Sequence, residues 1–141
     1  MRHEVSVTID APAELVWRTL EAVEQWPEWT PTMSSVRRKD EGEFRVGSEV
    51  EVKQPRLTPA VWTVTELEPG RSFNWRTKGA GFRSTAEHQV MTGESGAVTV
   101  KLAFEISGPL SWPIAKFAGG LVRKYVDTEA ESLKRWCEEH A

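Results

Sequence analysis

The sequence predicts an α+β domain in which a seven-stranded antiparallel sheet is followed by one long C-terminal helix. One strand-like segment opens the chain, a helical segment follows, and six strand-like segments then come in a row before a final amphipathic stretch. This order separates strands from helices, which excludes alternating βαβ units. The length of 141 residues fits one compact domain. We therefore expect a single domain over residues 1–141.

The N-terminal part of the chain predicts one strand and two helical segments. Apolar and polar residues alternate over residues 5–9, which is the period of a strand with one buried face. Asp10 or Ala11 can cap a helix whose first turn tolerates Pro12. The apolar face of this helix consists of Val16, Leu20 and Val23. Two prolines then interrupt residues 26–31, so a short second helix or a kinked corner follows.

The middle of the chain predicts six strands joined by hairpin-length turns. Glycine and proline mark the turns, and apolar residues alternate with polar ones between them. The predicted strands cover residues 33 to 39, 48 to 54, 60 to 67, 72 to 78, 82 to 91 and 97 to 106. A sheet of this size is too strongly twisted to stay flat, so it curls.

The C-terminal part predicts a long amphipathic helix that follows Gly108 and Pro109. Ser111 is the expected cap, and about 27 helical residues would extend on the order of 40 Å. The expected apolar side consists of Leu110, Ile114, Phe117, Leu121, Tyr125, Thr128, Ser132 and Trp136. The expected exposed side carries Glu129, Glu131, Lys134, Arg135, Glu138 and Glu139.

Composition and charge exclude several function classes. The 18 basic and 21 acidic residues give a net charge of -3, which offers no large positive field for nucleic acid. The single cysteine, Cys137, has no disulfide partner in the chain, and residues 1–9 do not form the apolar core of a signal peptide. We expect a cytoplasmic protein without stable membrane insertion, and the sequence leaves its oligomeric state open.

Four short segments, in this order, carry a resemblance that extends over nearly the whole chain. They are IDAPAELVW at 9–17, QWPEWTP at 25–31, TELEPG at 65–70 and SGPL at 107–110. With them the sequence resembles the SRPBCC or START-like superfamily, which includes birch-pollen-allergen-like proteins and bacterial polyketide cyclase/dehydrase-like proteins. The resemblance implies the helix-grip fold, in which a curved seven-stranded sheet wraps around the C-terminal helix and two short helices follow the first strand.

The resemblance also implies a cavity between the sheet and the last helix. Members of this superfamily carry lipids, sterols or polyketide-like molecules there, and a minority catalyse cyclisation or dehydration. The seven tryptophans of the chain agree with such a cavity, because they supply more flat apolar surface than a minimal core requires. The alternative is that the same side chains simply pack against one another as core.

The candidate ligand-binding residues combine the inward faces of the predicted strands with one side of the last helix. They are Trp29, Met33, Val52, Trp62, Phe73, Trp75, Phe82, His88, Leu102, Phe104, Ile114, Phe117, Leu121 and Tyr125. Trp29 is the expected gate at the cavity mouth. Gly119 and Gly120 permit a bend or a close backbone approach in the last helix, which would favour a pocket. The alternative is that they merely accommodate a neighbouring strand, and both interpretations stay open.

No catalytic residue is assigned, although His88 and Tyr125 are weak candidates. A neutral imidazole at the cavity wall could move a proton near neutral pH, and a tyrosine hydroxyl could orient a ligand. The alternatives are a structural histidine and a tyrosine that reaches solvent. The three histidines show no metal-ligand spacing, so we expect no metal and no cofactor.

Three functions are compatible with these features. The first is noncatalytic binding, transport or sequestration of a small hydrophobic, lipid- or polyketide-like molecule. The second is a polyketide cyclase or dehydratase that uses the same cavity. The third is a protein-binding module similar to the chaperone activators of the superfamily, which would require exposed apolar patches.

Overall fold

The structure is a computed structural model that describes residues 1–141. Seven strands form one sheet, and helical segments lie between the first two strands and at the C-terminus. The strands are β1 (Arg2–Ile9), β2 (Ser35–Arg38), β3 (Glu49–Lys53), β4 (Ala60–Glu68), β5 (Ser72–Gly79), β6 (Phe82–Thr92) and β7 (Val98–Ser107). The helices are α1 (Ala13–Glu21), a 3-10 turn (Val23–Gln25), α2 (Trp26–Trp29) and α3 (Ser111–Glu139).

The sheet is an antiparallel meander with the order β1-β7-β6-β5-β4-β3-β2. Each strand from β2 to β7 pairs with its neighbour in sequence, and β1 pairs with β7, where Val7 lies opposite Val100. The register between β4 and β5 shifts between Val64 and Glu66, and such an irregularity increases the local twist. This architecture confirms the predicted α+β fold with a seven-stranded sheet, two short helices after β1 and a long C-terminal helix.

Helix α3 makes its main contacts with β1 and β7, and its two halves differ in burial. The C-terminal half buries Val126, Ala130, Leu133 and Cys137. In the N-terminal half only Gly119 is buried. The C-terminal half therefore packs tightly, whereas the N-terminal half leaves space between itself and the sheet.

A cluster of aromatic rings closes the other side of the core. Trp26 of α2 is fully buried, and its indole nitrogen donates a hydrogen bond to the Leu20 carbonyl at 3.0 Å. Its ring lies 5.3 Å from the Trp75 ring and 6.4 Å from the Phe73 ring. These contacts attach the short helices to the middle of the sheet.

The helix caps and two strand lengths differ from the expectations. The N-cap of α1 is Pro12 and that of α3 is Leu110, and neither forms a side-chain cap hydrogen bond. Leu110 takes this position because its backbone N–H donates to the Gly81 carbonyl at 2.8 Å. Strand β2 is shorter than predicted, and β1 begins at Arg2 because residues 2–4 pair with β7. No helix has both the length and the apolar character needed to cross a lipid bilayer.

Candidate functional site

A cavity of about 770 Å³ lies between the sheet and the N-terminal half of α3. Hydrophobic residues form 21 of the 32 positions that line it. Its exposed lining residues include Thr58, Pro59, Lys78 and Gly79, so the mouth lies between the β3–β4 loop and the β5–β6 hairpin. The volume is within the range of sites that hold small organic molecules.

The cavity exists because the N-terminal half of α3 presents small side chains to the sheet. Ala115, Ala118 and Gly119 line this part of the wall. Such short side chains do not fill the space that the curved sheet leaves. In the C-terminal half of the same helix, by contrast, the larger side chain of Leu133 is fully buried against the core. The gap between the two layers is therefore encoded in the residue sizes along one helix.

Aromatic rings form much of the opposite wall. Trp62 and Trp75 lie on neighbouring strands with ring centroids 5.8 Å apart, and the Phe104 ring is 6.5 Å from the Trp62 ring. Phe82 adds a further ring near the mouth. Rings at these spacings present a broad, rigid apolar surface to an occupant.

Ten of the fourteen candidate residues line this cavity. They are Met33, Val52, Trp62, Trp75, Phe82, His88, Leu102, Phe104, Ile114 and Tyr125. The other four, which are Trp29, Phe73, Phe117 and Leu121, do not line it.

Trp29 and Phe73 belong to the closed part of the core. Phe73 is fully buried, stacks on the His88 ring at 4.2 Å and meets the Phe44 ring edge-on at 5.2 Å. Trp29 packs on Trp26 at 5.7 Å, and its indole nitrogen is buried without a hydrogen-bond partner. Trp29 therefore does not occupy the gate position that was expected from the sequence.

Phe117 and Leu121 lie on a different face of α3 from the cavity wall. The wall residues recur three or four positions apart as Ala115, Ala118, Val122 and Val126. Phe117 is one position from this stripe, which corresponds to about 100° around the helix, and it is 86% exposed. The expected apolar stripe was thus rotated relative to the face that meets the cavity.

His88 is a buried cavity-wall residue in its neutral form. Its Nδ1 is 3.1 Å from the Phe73 carbonyl oxygen, which only accepts hydrogen bonds, so Nδ1 carries the proton. Burial lowers the pKa of His88 to about 4. The remaining nitrogen, Nε2, is consequently a hydrogen-bond acceptor at neutral pH.

Tyr125 lines the cavity, and its hydroxyl forms a hydrogen bond at the cavity mouth. The hydroxyl donates a hydrogen bond to the Pro55 carbonyl in the β3–β4 loop. This bond connects α3 to the loop across the cavity mouth. The proton of Tyr125 is therefore engaged by the backbone.

Glu129 is a cavity-wall residue that the sequence pattern assigned to the exposed side of α3. Its side chain is buried, its Oε1 has no hydrogen-bond partner, and burial raises its pKa to about 8. The expected exposed face is wrong here because Glu129 follows Tyr125 by four residues and Val122 by seven, which places all three on one helix face. That spacing was the signal that could have identified it.

Comparisons with known proteins assign the chain to a family and agree with the observed fold. The family model described as polyketide cyclase / dehydrase and lipid transport matches residues 1–138. No curated protein sequence matches the chain. Solved structures are similar at low identity, so they show the fold alone.

For three of these structures the match extends over most of both chains. An aromatase/cyclase from Streptomyces sp. R1128 has a TM-score of 0.80 at 17% identity, covering 99% of this chain and 94% of that one. A hypothetical protein from Helicobacter pylori has a TM-score of 0.80 at 13% identity, covering 96% and 86%. Ara h 8.0201 has a TM-score of 0.74 at 11% identity, covering 99% and 98%.

Proposed function

Because the chain belongs to the polyketide cyclase / dehydrase and lipid transport family, we propose that it binds a small hydrophobic molecule in the cavity between the sheet and α3. The aromatic-walled space of about 770 Å³ is the observation that carries this proposal. Removing apolar surface from water contributes about 25 cal/mol per Å². Burial of roughly 300 Å² would therefore contribute about 7.5 kcal/mol before the cost of association.

Two polar groups in the wall would orient the ligand. Protonated Glu129 offers both a donor and an acceptor, and His88 offers an acceptor at Nε2. Glu129 also has a buried oxygen without a partner, which a ligand hydrogen bond would satisfy. The expected ligand is accordingly an apolar body with one uncharged polar group rather than a pure hydrocarbon.

The first test fills the cavity from its α3 wall. Ala118→Trp places an indole in the space between helix and sheet, and we expect it to weaken binding of the neutral fluorescent probe N-phenylnaphthylamine at least about tenfold, which is about 1.4 kcal/mol. Fluorescence titration measures the affinity, and circular dichroism checks the fold. Ala97→Trp, in the exposed β6–β7 loop, is the matched control and should leave affinity unchanged.

Failure of the unmodified protein to bind this probe or any extracted apolar compound would contradict the proposal. Equal binding by a folded Ala118→Trp variant would contradict the assigned site. Native mass spectrometry of freshly purified protein, followed by organic extraction, provides an independent measurement of a carried molecule.

Acid–base catalysis in the same cavity is a second candidate function. It is supported by the presence of Glu129 and His88 in the wall of one cavity. The carboxyl of Glu129 keeps its proton near neutral pH, whereas His88 is unprotonated there and has a free lone pair on Nε2. In a dehydration, Glu129 would protonate the departing hydroxyl while His88 Nε2 accepts the proton from the neighbouring carbon. The products are water and a carbon–carbon double bond.

The aldol adduct of benzaldehyde and acetone tests this candidate, since its dehydration yields a conjugated ketone that absorbs ultraviolet light. We expect turnover by the unmodified protein and a loss of at least about a hundredfold in Glu129→Gln. Glu131→Gln, an exposed change two residues along α3, serves as the control. Equal rates with Glu129→Gln and the unmodified protein would eliminate the assigned acid.

A further inference from the structure

Three chain segments meet around the cavity mouth and form one end of the molecule. They are residues 53–61, 76–86 and 107–126, and each contributes lining residues to the cavity. Tyr125 bonds to the Pro55 carbonyl, and the Leu110 N–H bonds to the Gly81 carbonyl at 2.8 Å. We call this set of segments the mouth surface.

The mouth surface is strongly basic although the whole chain is acidic. The eight charged side chains within these segments are all basic: Lys53, Arg56, Arg76, Lys78, Arg83, Lys116, Arg123 and Lys124. The nearest acidic residues along the chain are Glu87, which also lines the cavity, and Asp127, and they come directly after two of the segments. The other ten basic residues and all 21 acidic residues lie elsewhere in the chain. All of the eight except Arg76 are exposed, and none forms an ion pair. None of these charges is therefore in direct contact with a carboxylate of the protein.

Exposed apolar side chains accompany this charge at the start of α3. Leu110 is 47% exposed, Trp112 is 71% exposed and Phe117 is 86% exposed, and only two other large hydrophobic residues of the chain are exposed. The Lys116 ammonium lies 5.3 Å from the Trp112 ring centroid. Tryptophan and phenylalanine next to lysine and arginine are the combination that amphipathic helices insert at the headgroup level of a membrane.

We propose that the mouth surface docks onto a lipid bilayer that contains anionic lipids. Each lysine or arginine near such a surface is attracted by its negative potential, and the exposed rings enter the interface between headgroups and acyl chains. The free backbone N–H groups at the α3 N-terminus add positive partial charge, and no acidic residue in the first turn offsets it.

The docked orientation would place the cavity mouth at the bilayer. A second, shallower groove of about 400 Å³ runs along Leu110, Pro113, Ile114, Phe117 and Ala118. Ile114 and Ala118 also line the main cavity, so the groove and the cavity adjoin each other along α3. An apolar ligand could then pass between membrane and cavity with little exposure to water.

A bilayer fits this surface better than a nucleic acid does. Single-stranded nucleic acid also binds to basic surfaces with aromatic rings. However, the groove beside the exposed rings is lined entirely by Leu110, Pro113, Ile114, Phe117 and Ala118, which present no side-chain polar group to a base edge. Apolar side chains of this kind accommodate acyl chains.

Co-sedimentation with vesicles tests the proposal. We expect the protein to bind vesicles of phosphatidylcholine with about a quarter phosphatidylglycerol at least about tenfold more tightly than vesicles of phosphatidylcholine alone, and raising the salt concentration should weaken binding. Lys116→Glu with Arg123→Glu should lower affinity for the anionic vesicles at least about tenfold. Arg37→Glu with Lys39→Glu makes the same change in net charge outside the mouth surface and should change affinity less than about twofold.

The apolar contribution needs a second pair of variants. Trp112→Ser with Phe117→Ser should also lower vesicle affinity at least about tenfold, whereas Val46→Ser with Met91→Ser removes exposed apolar residues elsewhere and should have little effect. Loss of binding in either control pair equal to that in its test pair would overturn the proposal.

Three other results would also overturn it. They are equal affinity for neutral and anionic vesicles, binding of oligouridylate without binding of vesicles, and a dimer that dissociates in the Trp112→Ser, Phe117→Ser variant while vesicles are not bound. Because empty vesicles and the protein alone are sufficient, these results do not depend on whether the cavity binds a ligand.

Discussion

Glu129 combines a charged residue type with a buried position. Its carboxyl group lies in the cavity wall, one oxygen lacks a partner, and no lysine or arginine forms an ion pair with it. Burial therefore disfavours the ionised form, which is why its pKa rises to about 8 from an ordinary value of 4.5. The residue has a cost in stability that a ligand hydrogen bond would offset.

The difference in stability between Glu129→Gln and the unmodified protein should depend on pH. The unfolded chain releases this proton near pH 4.5 and the folded chain near pH 8, so the stabilisation from the neutral carboxyl is complete below about pH 4.5 and is lost as the pH rises through 8. We expect the free energy of unfolding of the variant to exceed that of the unmodified protein by a few kcal/mol at about pH 9 and to equal it at about pH 4. Urea unfolding at both values measures the difference.

Glu131→Gln is the control for this measurement because Glu131 is exposed on the same helix. It should change the free energy of unfolding by less than about 0.5 kcal/mol at either pH. A difference between Glu129→Gln and the unmodified protein that is the same at both values would contradict the buried carboxyl.

At the scale of the element, α3 is one continuous helix whose two halves pack differently against the sheet. The C-terminal half buries Leu133 and Cys137 against the core, and the N-terminal half forms a cavity wall with small residues. The helix runs through Gly119 and Gly120 without interruption. A Cβ atom at Gly120 would meet nothing within 4 Å, so no close approach requires glycine at this position.

Gly120→Ala should therefore stabilise the protein by about 1 kcal/mol, since alanine loses less conformational entropy in a helix. Thermal unfolding measures this as a higher Tm. Gly81→Ala is the contrasting change, because Gly81 has a φ of +78° and its Cβ would lie 2.7 Å from Leu110. That variant should be destabilised, and a lower Tm for Gly120→Ala would show that the glycine pair is needed for the helix geometry.

At the scale of the whole molecule, charge and topology are organised around the cavity. Strand β1 pairs with β7, and α3 packs on β1, so the two ends of the described chain support each other. We propose on this ground that residues 1–141 fold as one domain. The excess of acidic residues outside the mouth surface gives the molecule a basic end and an acidic remainder, which would orient it at a negatively charged membrane.

The sequence alone determined the fold class, the consecutive pairing of strands β2 to β7 and the inward faces of the strands, whereas the pairing of β1 with β7 was not predicted. Period-two alternation assigned His88 and Trp75 to the interior, and both are buried there. This works because a strand has only two faces, so one residue of known direction assigns all the others.

Only the tertiary structure decided which of the inward-facing candidates line the cavity and which face of α3 meets it. Phe117 was expected in the cavity and is exposed, whereas Glu129 was expected to be exposed and is buried. The reason is that neighbouring residues of a helix point about 100° apart, so a small error in the assigned face changes which side chains meet the sheet. The burial of Phe73 behind the cavity wall likewise depends on the rings of Trp26, Phe44 and His88, which lie far apart in sequence. Such contacts are set by packing between elements, which local patterns do not contain.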